Sequence, residues 1–193
     1  NIMKKNIKKR EGGKAVRIAR YSDKPNWVGK NLQQIAEEEN KSVLEIALEI
    51  TRKGGASIVN FSMNEEDVRQ IMKIDWVATA SDGRAYLPGS DRPHPRNYGT
   101  FPRKLGYYAL QEKVIPLEHA VRSATGLPAD ILGLKDRGYL RPGAYADIVV
   151  FDPKQLIDQA TFDNPHQYSK GVRYLFVNGK PAISAGSPTC SLA

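Results

Sequence analysis

Asp82 stands between Ser81 and Gly83, at the end of the short apolar run Trp76–Ala80 and ahead of a long loop. A carboxylate at the end of a strand can meet a ligand there, bind a metal or move protons as general acid and base. The same spacing suits an aspartate that satisfies turn amides in an Asx-turn, and the residue pattern leaves both readings open. His94 lies in Pro93-His94-Pro95-Arg96, where the prolines restrict the backbone and the imidazole and guanidinium could contact a substrate carboxylate or amide. A loop histidine bonded locally fits that pattern as well. Arg92, Arg96 and Arg103 could orient a substrate carboxylate or pin the loop through backbone carbonyls. Asn60 and Ser62 fall near the end of an earlier apolar run.

Several chemistries are excluded by spacing. His94, His119 and His166 show neither H-x-H nor H-E-x-x-H spacing, so they build no complete metal site. No G-x-S-x-G turn accompanies Asp82 and His94, which leaves a Ser-His-Asp triad unsupported. Gly12-Gly13 and Gly54-Gly55 read as turns rather than phosphate loops. Cys190 is the single cysteine, so neither an intrachain disulfide nor a cysteine-based metal site is available.

The elements that must position these residues follow from periodicity. Lys14–Tyr21 alternates like a strand, residues 30–39 space Leu32, Ile35 and Ala36 at helical intervals, and Ser42-x-x-Glu45 opens a second helix with a capping box. Ala56–Met63 reads as a strand, Asn64, Glu65, Glu66 and Asp67 as the cap and acidic first turn of a helix through Val68, Ile71 and Met72, and Trp76–Ala80 as another strand. Strand, helices, strand, helix, strand argues for parallel βα units, with ligands gathered at the carboxyl ends of the strands. From Gly83 to Arg103 the chain is rich in Pro, Gly, Arg and aromatics without periodicity, as in a functional loop or lid. Helices are expected over Lys104–Val114 and from Pro116 to Gly126. After Gly126 the pattern turns to β, with a Pro142-Gly143 turn, a strand at Asp147–Phe151 and a hairpin over Val172–Ile183 turning at Asn178-Gly179.

Composition bounds the rest. The chain has 193 residues, 40% of them hydrophobic, and a formal charge of +8. No apolar run reaches the ~18 residues of a membrane helix, so membrane insertion is not expected. Residues 1–14 hold six basic groups against Glu11, and the remainder is only mildly basic. Without a domain-wide electropositive face, nucleic acid is not an expected partner. Asn1 instead of Met, with a basic stretch before the first patterned element, suggests a piece of a longer chain.

Residues 60–103, with Ser81-Asp82-Gly83 and the His94-Pro95-Arg96-x-x-Gly99-Thr100-Phe101-Pro102-Arg103 segment, then 126–153 with its Gly143-x-x-Ala146-Asp147 run, and 161–180, resemble the C-terminal part of N-acyl-D-amino-acid deacylases, the D-aminoacylases. These belong to the metal-dependent amidohydrolase superfamily. The resemblance implies an α/β fold: the C-terminal strands and helices of a (β/α)8 barrel in residues 1–126, and strands of a small composite β-sandwich in 127–193. It implies that Asp82 matches the aspartate after the eighth barrel strand, which takes a proton from a zinc-bound water and delivers it to the departing amine. His94 would sit at the site's rim and bind the N-acyl-D-amino acid, with Arg96 and Ser62. The family's H-x-H, bridging ligand and later histidines would precede Asn1, so zinc belongs to the parent enzyme and the isolated chain is expected to be inactive. Open strand edges imply self-association or association with the missing N-terminal part. Cytoplasm is the default location. A dihydroorotase- or imidase-like amidohydrolase would share the β tail but lack the loop segment. A non-catalytic binding or structural module would rest on the basic first 14 residues.

Overall fold

Ser42 and Glu45 illustrate how local chemistry sets the elements. The Ser42 hydroxyl accepts a bond from the Glu45 amide at 3.2 Å, while the Glu45 carboxylate accepts from the Ser42 amide at 2.8 Å. The computed structural model describes residues 2–85 and 87–189, so Cys190 lies outside the described residues. Two compact units divide them: residues 1–64, 85–95 and 161–166, and residues 65–84, 96–160 and 167–193.

The first unit contains α1 (Ile2–Lys9), β1 (Val16–Arg20), α2 (Leu32–Glu38), α3 (Val43–Arg52) and β2 (Ser57–Asn60). Its core joins Val16 and Ile18 of β1, Tyr21 and Trp27 after it, and the apolar stripe of the two helices, Leu32, Ile35, Ile46 and Ile50. Lys24 ties that core's rim, with its ammonium 2.9 Å from Glu49, 3.2 Å from Glu39 and 4.1 Å from the centre of the Trp27 ring. β1 and β2 pair antiparallel, with Ile18 opposite Ile58, where a parallel series was expected. Two helices separate the strands instead of the single crossover helix of a βαβ unit. The loop stretch 85–95 is held by the Arg92 amide, which donates to the Ala19 carbonyl at 2.8 Å. Residues 161–166 join through Asp163, which pairs with Arg17 at 2.7 Å and accepts a bond from Arg92 at its carbonyl.

The second unit contains α4 (Glu65–Met72), α5 (Arg96–Pro102), α6 (Leu117–Ala124), α7 (Gly126–Leu132) and the strands β3 (Ile148–Phe151), β4 (Val172–Val177), β5 (Lys180–Ser184) and β6 (Ser187–Pro188). These strands form one antiparallel sheet in chain order, and the β4–β5 turn uses positive φ at both Asn178 and Gly179, as the Asn-Gly pair requires. Directly after α5, residues Arg103–Gln111 wind as a π-helix. Pro102 supplies no amide donor, and the winding changes from α to π immediately after it. The aperiodic loop therefore ends at Pro95, eight residues earlier than its composition implies.

Two further expectations are corrected. Trp76–Ala80 forms no strand, because no strand of the described residues runs beside it and its Thr79 amide donates instead to the Ser123 carbonyl of α6 at 2.7 Å. Gly126 starts α7 rather than ending α6, and the left-handed cap lies at Gly133, φ +69°. Helices and strands are mixed, and the strands form two small antiparallel sheets in place of the parallel α/β series that was expected. No helix among the described residues is long and apolar enough to cross a membrane.

Candidate active site

The segment from Trp76 to Arg84 carries Asp82, and its conformation is dictated by the helix that begins at Arg96. Asp82 adopts the left-handed region, φ +46°, which aspartate tolerates better than most residues. The Ser81 hydroxyl accepts the Gly83 amide at 3.2 Å, so the Ser-Asp-Gly triplet closes a tight local turn. Both readings of Asp82 drawn from its spacing thus meet here: it belongs to a turn, yet its carboxylate is 82% exposed and reaches outward.

That carboxylate pairs with the Arg96 guanidinium at 2.7 Å. One residue further along the helix, the Asn97 side-chain oxygen accepts the Arg84 amide at 2.9 Å. Gly83 lies against the same residue, and a β-carbon at position 83 would stand 3.2 Å from the Asn97 α-carbon, so glycine lets the turn approach the helix backbone. At its other end the segment is gripped by Lys104, which lies on the buried side of the π-helix with Gly106, Tyr108 and Ala109. The Lys104 ammonium donates to the Thr79 hydroxyl and, at 2.6 Å, to the Ser123 hydroxyl. Only 6% of Lys104 and 1% of Ser123 are exposed. Among the described residues no carboxylate pairs with Lys104, and burial pushes its pKa down to about 8.

The remaining expected site residues fall in the first unit. His94 packs edge-on against Phe162, 5.0 Å between ring centres, and Phe162 contacts Phe61 at 4.6 Å. Ser62 follows Phe61 and is exposed. The structure therefore brings Asp82 and Arg96 into direct contact and assigns His94 and Ser62 to the other unit. Of the other arginines, Arg92 binds the Asp163 carbonyl and pins its loop, whereas Arg103 pairs with the buried Asp158 carboxylate at 3.2 Å. Residue types alone did not single out Lys104, Thr79, Asn97 and Ser123. The available signal was Lys104 at i and Tyr108 at i+4, a lysine on the stripe that the helix buries.

The donor set does not suit a metal ion. Among the described residues no three His, Cys, Asp or Glu side chains converge. His119 is engaged by the Met72 carbonyl at 3.0 Å and Asp75 at 3.3 Å, and His166 by Asp91 at 3.3 Å. One exposed carboxylate already paired with a guanidinium leaves a zinc ion short of the ligands it needs. The arrangement can hold an outward carboxylate beside a cation on a fixed turn, which is suited to proton transfer and to an anionic substrate.

Comparison with known proteins agrees with this reading of the motifs. D-aminoacylase of Alcaligenes xylosoxydans xylosoxydans is 42% identical over 157 residues, 81% of this chain and 31% of that protein. The crystal structure of a D-aminoacylase superposes with a TM-score of 0.82 at 39% identity, covering 91% of this chain and 36% of that one. N-acyl-D-glutamate deacylase from Bordetella bronchiseptica, solved with zinc and a phosphonate mimic of the tetrahedral intermediate, gives 0.81 at 36% identity over 94% of this chain and 38% of its own. The chain thus spans about a third of the length of the relatives it matches. The amidohydrolase family model matches residues 29–183, a stretch that includes the Asp82 turn, the helix clamping it and the antiparallel sheet as far as β5, and the chain belongs to that family.

Proposed function

We propose that this chain is the C-terminal portion of a zinc-dependent hydrolase that cleaves the amide bond of N-acyl-D-amino acids, releasing a carboxylate and the free D-amino acid. In this reading residues 1–126 contribute the last strands and helices of a (β/α)8 barrel and residues 127–193 strands of a β-sandwich. Likeness to D-aminoacylase and N-acyl-D-glutamate deacylase supports it, and the observation that carries it is Asp82. Its carboxylate is exposed, fixed on a turn and held by Arg96. Asp82 takes the proton of the water that attacks the amide carbon and returns it to the nitrogen as the carbon–nitrogen bond breaks. Arg96 binds the substrate, its guanidinium offering a contact to the substrate carboxylate. In this reading the zinc of the whole hydrolase is held by residues outside this chain, since no three ligating side chains converge among the described residues.

The test is Asp82→Asn in the full-length hydrolase, assayed for release of free D-amino acid from N-acetyl-D-amino acids. Loss of a general acid and base lowers kcat by about 10²- to 10⁴-fold. Turnover at the unsubstituted rate would overturn the assignment. The 193-residue chain alone is expected to show no turnover with added zinc, and a chelator-sensitive deacylase activity in it would overturn the placement of the metal ligands.

A further inference from the structure

Lys104 is a buried cation that the proposed chemistry does not use, and its position suggests why the fold keeps it. One continuous helical stretch, Arg96–Gln111, contacts the Asp82 segment on both sides. Downstream of Asp82 the contact is the Asn97 side chain on the Arg84 amide, 2.9 Å. Upstream it is the Lys104 ammonium on the Thr79 hydroxyl. The same ammonium donates to Ser123, whose hydroxyl in turn donates to the His119 carbonyl at 2.7 Å and whose own carbonyl accepts the Thr79 amide at 2.7 Å. Thr79 is thus fixed through backbone and side chain to a single residue of α6, with Lys104 closing the ring. No ladder of neighbouring strands holds residues 76–80 among the described residues, so these bonds replace the register that a sheet would impose.

A bare structural role would be filled more cheaply by an apolar residue, because burying an ammonium without a counter-charge is costly even when its protons are bonded. We infer that Lys104 is a positioning residue for Asp82, setting the reach of the carboxylate by tying Thr79, three residues upstream, to Ser123 of α6. This inference rests on the assignment of Asp82 made above.

The experiment compares Lys104→Met, Thr79→Val and Thr79→Ser with Asp82→Asn in the full-length hydrolase, measuring kcat and KM for an N-acetyl-D-amino acid and the thermal midpoint of each. Misplacing the carboxylate lowers kcat by about tenfold or more in Lys104→Met and in Thr79→Val with KM unchanged, and combining the two adds nothing further. Thr79→Ser keeps the hydroxyl and retains the original kcat. Should Lys104→Met fail to fold, the pair of Thr79 variants decides the matter, since valine is isosteric and serine smaller. The inference is overturned if Lys104→Met or Thr79→Val turns over at the original rate, or if Thr79→Ser loses as much activity as Thr79→Val. With Asp82→Asn inactive, either result removes the positioning role alone; Asp82→Asn at full activity removes the assignment of Asp82 itself.

Discussion

Burial lowers the pKa of Lys104 from 10.5 to about 8, and the sign of its effect on stability follows. Below pH 8 the lysine is charged in both folded and unfolded chains, so the whole cost of burying the ammonium is present. Between about 8 and 10.5 the unfolded chain binds more protons than the folded one, and stability rises with pH. Urea midpoints from pH 7 to 10 are expected to rise more for the unsubstituted chain than for Lys104→Met, and parallel profiles would contradict the burial. Glu49 behaves oppositely: bonds from Lys41 and Lys24 hold its carboxyl down to about 2, so its contribution is present above the ordinary carboxylate range and is lost as pH falls toward 2. The site was legible in part at this scale. Asp82 stands out because small residues flank it, and Arg96 because of the prolines before it. Lys104 does not, because a lysine ordinarily reads as solvated surface and only the packing of its helix shows otherwise.

Helix α3 begins with a reciprocal pair of bonds between Ser42 and Glu45, and removing the hydroxyl strands an amide in its first turn. Ser42→Ala is expected to cost ~1 kcal/mol in the denaturant midpoint without altering the second unit. A harsher change lies in the π-helix, where a β-carbon at Gly106 would stand 2.0 Å from the Leu156 carbonyl oxygen. Backbone there cannot yield cheaply, so Gly106→Ala is expected to destabilise by ~1–3 kcal/mol, readable as a lowered thermal midpoint. Capped helices and the Asn-Gly hairpin were legible because their signals are local: a hydroxyl three residues from a carboxylate, and two residues that accept positive φ. The orientation of β2 and the state of residues 76–80 were not, because a strand is defined by what lies beside it. Trp76–Ala80 has strand-like residues, yet its Thr79 amide bonds to a helix. Pro102 concealed α5 in the same way, since a proline inside seven residues reads as a break.

Neighbouring residues of a strand face opposite sides of its sheet, and in β3 both Val149 and Val150 are close to half exposed, at 47% and 45%. Neither face of that sheet is closed over at this edge, and Ile131, Leu132 and Leu140 add exposed apolar surface in the same unit. The 193-residue chain by itself is expected to associate in a concentration-dependent way in sedimentation velocity, with Val150→Lys weakening it; a single monomeric species throughout would contradict this. The first unit also gathers three separate stretches of chain, the last being residues 161–166. Arg17 and its partner Asp163 are 146 positions apart, and Phe162, the ring against His94, arrives equally late. On a ribosome the segment ending at Asn64 waits for roughly 100 more residues, about 5–20 s of synthesis, before its last contacts exist. Birth order and folding order therefore part company here: the stretch ending at Asn64 is completed by residues made roughly 100 positions later.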